Sequence, residues 1–305
     1  MSKFDFDEIL DYALRSQLAY VIHQDGWYIT EHLGWRVSSH YHLAIKEAPR
    51  SEVNIVVEVD HVHKIQWIAV RGSNNFRNWM LNLRYMQRPF AKNFLSHRVV
   101  IDLHTGFYIA ADDVYRDILP HLHQDYRTRL TGHSLGGAIA VILMMFLKED
   151  GYRIEKCITF GQPKITDRKG AEMCHDLPLL RVINHEDIVP LMPPRTVWTQ
   201  LQGGYHHFGS EIILQHSKGY TYTLPDDLRS YPIGNFWSRL LRAITQKDLK
   251  NSTESIVDHD LKLYITNILR NIESGNSALE KLQHNLMLQA HQSTRELCIA
   301  VSESV

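Results

Sequence analysis

Cysteine is scarce in this chain. Its 305 residues include three, Cys157, Cys174 and Cys298, an odd number at wide spacing. Such usage excludes a disulfide framework and a zinc-type ligand pattern, and it fits free thiols in a reducing compartment. Net charge is equally scarce. Lysine and arginine total 33 against 34 aspartates and glutamates, a formal net charge of −1. A balance this even excludes broad electrostatic attraction to nucleic acid or to anionic membrane. Long apolar runs are missing as well: the longest, residues 138–147, is too short to cross a bilayer and reads as a buried helix. The opening MSKFDFDEILDYALR places acids where a secretion signal would have its apolar core. The expectation is a soluble, cytoplasmic protein without a signal peptide or transmembrane helix. Neither internal repeats nor low-complexity tracts are apparent.

What is present is ordinary in bulk, with 44% hydrophobic and 22% charged residues, enough to bury a sizeable core. Histidine is the exception at 19 residues, so net charge should rise quickly below about pH 6.5.

Periodicity supplies the elements. Residues 4–21 place Phe6, Ile9, Leu10, Ala13, Leu14 and Leu18 at helical spacing. SEVNIVVEV (51–59) and KIQWIAV (64–70) are rich in β-formers and flank the polar tip DHVH, as in a hairpin. A helical period returns over 106–122. A strand end at 129–131 is followed by a helix from Leu135. Further strand-like runs are KCITFG (156–161), LLRVIN (179–184) and GSEIILQ (209–215), with a helix over 259–272. Alternation of this kind predicts an α/β fold with a mainly parallel central sheet flanked by helices. Residues 220–257, with Pro225, Pro232, Gly234 and the amphipathic FWSRLLRAI, read as an insertion within a domain spanning 1–272. The remainder, 273–305, reads as a C-terminal helical extension whose SALE motif supplies a capping box with Ser277 as N-cap and Glu280 reaching back.

Chemistry concentrates at GHSLG (132–136). This is the G-x-S-x-G pattern of a nucleophile elbow, in which a serine sits on a sharp turn between strand and helix. Glycine at −2 and +2 is required because side chains there would collide with the neighbouring strand or helix. A helix N-terminus beneath Ser134 favours the negative charge that develops during acyl transfer. A serine hydroxyl also needs a base, and the base an acid to orient it; the chain order in such folds is serine, acid, histidine. Asp187 closes the strand in RVINHEDIVPLMPP, where a carboxylate is aimed at the active-site edge of a sheet. Taken alone it also fits a turn-forming aspartate. Six histidines follow it: His206, His207, His216, His259, His284 and His291. His259 is favoured among them because a histidine on a loop before a helix can reach over a sheet edge. Spacing leaves the others open. His133, beside the nucleophile, reads as structural, because consecutive residues at an elbow point apart. His104 and His185 read as supportive.

FRNWMLNLRYMQR (76–88) aligns Phe76, Trp79, Met80, Leu83 and Met86 along one helical stripe, with Arg77, Arg84 and Arg88 opposite. On pattern alone this is a surface helix with its stripe in the core.

The ordered set VRGSNNFRNWMLNL, HTGFY, TGHSLGGAIA, TFGQPKITD, RVINHEDIVPLMPP, YHHFGSEI and DHDLKLY, over roughly residues 65–270, resembles the class 3 lipases, the fungal-type triacylglycerol lipases and their relatives. The resemblance implies an α/β-hydrolase fold and a Ser134–Asp187–His259 triad, the histidine coming from the Asp258-His259-x-x-x-x-Tyr264 pattern. It also implies an oxyanion hole from the N–H of Leu135 and the N–H and hydroxyl of Ser73. Residues 76–88 would be a lid that covers the site in water and opens at lipid. The implied activity is serine carboxylic-ester hydrolysis on lipid esters, without metal or other cofactor, with a lipid ester substrate at a membrane or droplet interface as partner and no nucleic acid. Alternatives are a phospholipase or galactolipase of A type, an esterase for small esters, or a lipase-like scaffold without catalysis.

Overall fold

The computed structural model describes residues 4–21, 42–45, 53–72, 87–94, 97–185, 187–193, 204–215, 218–223 and 258–272. Ser73, residues 76–86, most of the proposed insertion (224–257) and the C-terminal extension lie outside the described residues, as do His216, His284 and His291.

In chain order the elements are α1 (Phe6–Val21), β1 (His42–Ile45), β2 (Ile55–Asp60), β3 (Ile65–Val70), β4 (Gln87–Phe94), β5 (His97–His104), α2 (Thr105–Ile118), β6 (Arg127–His133), α3 (Leu135–Glu149), β7 (Arg153–Phe160), α4 (Arg168–Met173), β8 (Leu179–Asn184), β9 (Ser210–Leu214), β10 (Tyr220–Thr223) and α5 (Leu261–Asn271). Eight strands form one sheet in the order β1-β2-β3-β6-β7-β8-β9-β10, and β4 pairs with β5 in a separate two-stranded ribbon. The centre, β3-β6-β7-β8-β9, is parallel, while β1, β2 and β10 add antiparallel edges. This is the mainly parallel α/β sheet expected from the alternation of strands and helices.

Side chains alternate across the sheet and build a core on each face. On one face Ile55, Val57, Ile68, Val70, Leu130 and Cys157 pack with α2 and α3. On the other Trp67, Ile158, Phe160, Val182, Ile212 and Leu214 pack with α1 and α5. Helix α3 explains its own composition. Every residue from Gly136 to Leu147 is buried, so the apolar run has no polar face to present.

Three local results differ from the sequence reading. β1 and the β4–β5 ribbon have no counterpart in it. The helical stripe drawn through residue 88 runs too far, because Gln87 and Arg88 lie on β4, paired with His104 and Leu103. Tyr220–Thr223, assigned to the start of an insertion, instead extend the sheet by pairing with β9.

Two ion pairs are buried, one between helix and sheet and one between neighbouring strands. Arg15 of α1 meets Glu58 of β2 at 3.0 Å and lies over the Trp67 ring, while Arg181 meets Glu211 at 2.8 Å. Each charge is matched, as burial requires. The result is a rigid sheet whose parallel strands deliver their carboxyl ends, and the loops after them, to one edge.

Candidate active site

β6 ends at His133 and α3 begins at Leu135, leaving Ser134 alone at the junction with φ 58° and ψ −127°. A non-glycine residue is strained there, and such strain persists where surrounding structure over-determines it. The surroundings are tight. A β-carbon on Gly132 would sit 2.3 Å from the Gly136 carbonyl oxygen, and one on Gly136 would sit 2.2 Å from that of Val70. The two flanking glycines therefore exist so that strand, turn and helix can touch. Ser134 N–H donates to the Phe160 carbonyl at 2.9 Å, tying the turn to β7. The serine is 2% exposed, and its Oγ has no hydrogen-bond partner among the described residues. Leu135, the first residue of α3, contributes one of the N–H groups that have no carbonyl to meet within the helix.

Asp187 lies three residues beyond β8 and is completely enclosed, its side chain 0% exposed. Its Oδ2 accepts from His259 Nδ1 at 2.7 Å and from the Tyr264 hydroxyl at 2.5 Å, and its Oδ1 accepts from the Val189 N–H at 2.8 Å. Three donors around one carboxylate offset its burial. Burial, reinforced by the neighbouring Asp187 charge, pushes the Tyr264 phenol well above its ordinary pKa, so it remains a donor.

The loop that holds Asp187 is pinned from behind. Lys164 Nζ donates to the carbonyls of Leu191 and Pro193 at 2.8 and 3.3 Å, and His207 Nε2 donates to that of Pro190 at 2.6 Å. His259 precedes α5, whose N-cap Asp260 accepts from the Lys262 N–H. Asn184, the last residue of β8, donates to the Asp258 carbonyl at 2.9 Å and accepts from Asn267 at 3.1 Å. The end of β8 thus grips the turn carrying His259. With Nδ1–H committed to Asp187, a neutral His259 keeps its lone pair on Nε2, the form a general base requires.

The structure brings Asp187 and His259 into contact and sets His259 beside the elbow, with the His133 and His259 ring centroids 4.6 Å apart. His207 is kept away from this pair by its bond to Pro190, and His104 caps α2 and stacks on Phe107. His185 lines a cavity of about 230 Å³ beside Asp187. Gly161 did not stand out in the sequence reading, yet a β-carbon there would come within 2.8 Å of both Asp187 Oδ2 and His259 Cε1. Tyr20 was likewise missed. It belongs to a helix 113 residues from the elbow, and its hydroxyl lies 2.8 Å from His133 Nδ1. Among the described residues no group of three or more histidine, cysteine, aspartate or glutamate side chains could hold a metal ion.

Two histidines, His133 buried and His207 half-buried, make a prediction about acid stability. Burial, then the adjacent His259, holds His133 well below the ordinary histidine pKa. Burial, then the charges of Arg181 and Lys164, does the same to His207. Both should stay neutral in the folded protein near pH 6 while the unfolded chain takes up protons. Stability is then full above about pH 6.5 and declines as pH falls below it, by up to about 1.4 kcal/mol per pH unit for each group. Thermal unfolding between pH 8 and pH 5 checks this, and His207→Gln should flatten the acid side.

A mainly parallel sheet with a serine elbow after a central strand, helices on both faces and an acid after a later strand is the α/β-hydrolase fold. Residues 67–197 match the model of the family described as lipase (class 3). The triacylglyceride lipase of Rhizomucor miehei has a similar solved structure, with a TM-score of 0.60 at 22% identity, covering 78% of this chain and 91% of that one. The secreted mono- and diacylglycerol lipase 1 of Fusarium solani is 28% identical over 180 residues, 54% of this chain and 48% of its own length. The chloroplastic phospholipase A1 PLIP1 of Arabidopsis thaliana is 29% identical over 140 residues, 40% of this chain and 20% of its own. This chain therefore spans half or less of the curated relatives it matches. No helix among the described residues is long and apolar enough to cross a membrane.

Proposed function

We propose that the protein is a serine ester hydrolase acting on carboxylic esters of lipids. The carrying observation is the strained Ser134 elbow at the N-terminus of α3, set beside a buried Asp187–His259 pair. In this reading His259 takes the Ser134 proton as Oγ attacks the ester carbonyl. Asp187 holds the imidazole and stabilises its charged form. His259 then protonates the departing alcohol, and water releases the acyl group by the same route in reverse. The Leu135 N–H and Ser73 would hold the oxyanion, a single such donor contributing about a hundred- to thousandfold in rate. No metal or cofactor has a part in this reaction. The buried thiols of Cys157 and Cys174, neither in a disulfide, support a reducing, cytoplasmic setting.

A phospholipase of A type is the second reading, favoured by the likeness to the Arabidopsis phospholipase A1. Both readings share the acyl-enzyme and differ in headgroup. Hydrolysis of purified mono-, di- and triacylglycerols alongside phosphatidylcholine and galactolipid, each with acyl chains of several lengths, separates them. Failure on every ester would sink both.

The stripe Phe76, Trp79, Met80, Leu83 and Met86 supports a lid over this site. Its burial in lipid would contribute several kcal/mol, at about 25 cal/mol per Å² of apolar area, and so offset the packing against protein that opening gives up. Activity should rise steeply as substrate passes from monomers to aggregates. Trp79→Ser with Leu83→Ser should blunt that rise while largely sparing a short soluble ester. Equal activation in variant and wild type would return the segment to ordinary surface.

A further inference from the structure

His133 lies next to the nucleophile, and the triad chemistry gives it no proton to move. Its ring is nevertheless spanned by two short hydrogen bonds. Nε2 lies 2.7 Å from the backbone carbonyl of His259, and Nδ1 lies 2.8 Å from the Tyr20 hydroxyl. A carbonyl can only accept, so Nε2 carries the proton. Burial, with His259 alongside, keeps the ring neutral, so Nδ1 is the acceptor and Tyr20 donates to it. Gly72 lies against the same hydroxyl, since a β-carbon there would come within 2.3 Å of the Tyr20 oxygen. The proton direction is therefore single, from Tyr20 O–H to His133 and from His133 N–H to the His259 carbonyl.

The two ends of this chain are functionally distinct. One end fixes the backbone of the proposed base. The other packs against Gly72, whose β-carbon position would lie 3.2 Å from Ser134 Cβ and 2.7 Å from the His133 carbonyl. Gly72 immediately precedes Ser73, the proposed oxyanion donor. Tyr20 itself is held by α1, which is seated on β6: the hydroxyls of Ser16 and Thr131 lie 2.8 Å apart, and Thr131 Oγ1 lies 3.1 Å from the Tyr12 carbonyl. The network also suits the charge that develops on His259 during catalysis. A neutral ring 4.6 Å away does not repel the imidazolium, whereas a charged one would.

We infer that His133 and Tyr20 are positioning residues that set the backbone of the base and that of Gly72 at a fixed distance from each other on either side of Ser134. This inference rests on the hydrolase reading above. It assigns to α1, far from the motifs, a role in holding the site's geometry, in addition to its packing against the sheet.

Tyr20→Phe removes one oxygen and leaves the ring packing intact, so it is the primary test. Rates on a short soluble ester are referred to active sites titrated with a fluorophosphonate, so that unfolded protein does not count. The expected result is a fall in kcat of about ten- to a hundredfold with KM within about twofold, as for small misplacements of reacting groups. His133→Gln keeps an N–H for the His259 carbonyl and should retain clearly more kcat than His133→Ala. Tyr20→Phe with wild-type kcat, while Ser134→Ala is inactive, overturns the inference and leaves the triad standing. A change confined to KM or to melting temperature overturns it equally, because that would assign the network to folding alone. Activity retained in Ser134→Ala removes the hydrolase reading and the inference with it.

Discussion

Ser134→Ala will lower ester hydrolysis by about a millionfold and leave the fold in place. The size of the loss follows from the role. Without Oγ there is no acyl-enzyme, and what survives is attack by water on a substrate held near the oxyanion donors. The fold should survive because the hydroxyl supports nothing: it makes no hydrogen bond among the described residues. Alanine also inherits the same φ of 58°, so the elbow strain is unchanged rather than added to. The measurement is kcat on a soluble ester, with far-ultraviolet dichroism and melting temperature as controls. Activity within tenfold of wild type, in protein free of contaminating esterase, would remove Ser134 from the reaction.

Asp187→Asn is the second large effect, and its cause is tautomeric. The carboxylate now accepts three hydrogen bonds, from His259, Tyr264 and Val189. An asparagine that keeps its carbonyl on the Val189 N–H turns its amide N–H₂ toward two donors. His259 must then present Nδ1 as an acceptor, which moves its proton to Nε2, the atom that should be taking the serine proton. A loss of about ten thousandfold in kcat is expected, by analogy with the same change in another serine triad. His259→Ala should be comparably severe. His207→Ala should instead cost stability, because it frees the Pro190 carbonyl and loosens the acid loop without touching the proton path. The pair of histidine variants is the discriminating comparison: well-folded His207→Ala without activity, beside an active His259→Ala, would show the base to be misassigned.

The legible part of this fold lay in short-range patterns. The glycines of GHSLG declare a steric constraint that the surroundings of Gly132 and Gly136 then explain atom by atom. The central strands announce themselves because a strand buried on both faces is largely apolar, as in WIAV (67–70). β1 escaped because four residues on a sheet edge carry too little pattern, and β4 because an apolar stripe of helical period runs up to its first residues. Choosing the histidine was harder. His207 and His259 each follow Asp187, and only the tertiary placement directs one to a carbonyl and the other to the carboxylate. Tyr20 and Gly161 were illegible for the same reason. Their relevance lies in packing across the sheet edge, and nothing in their immediate neighbours signals it.

The central claim is that Ser134 carries the acyl group, and intact-protein mass spectrometry of the trapped intermediate tests it most directly. Wild type is mixed with an activated ester whose acyl group leaves slowly, quenched in acid within the first turnover, and weighed. The account predicts one added acyl mass per chain, mapped by peptide fragmentation to Ser134, and none in Ser134→Ala. Turnover of the ester with no adduct at Ser134, or an equal adduct in Ser134→Ala, would contradict it.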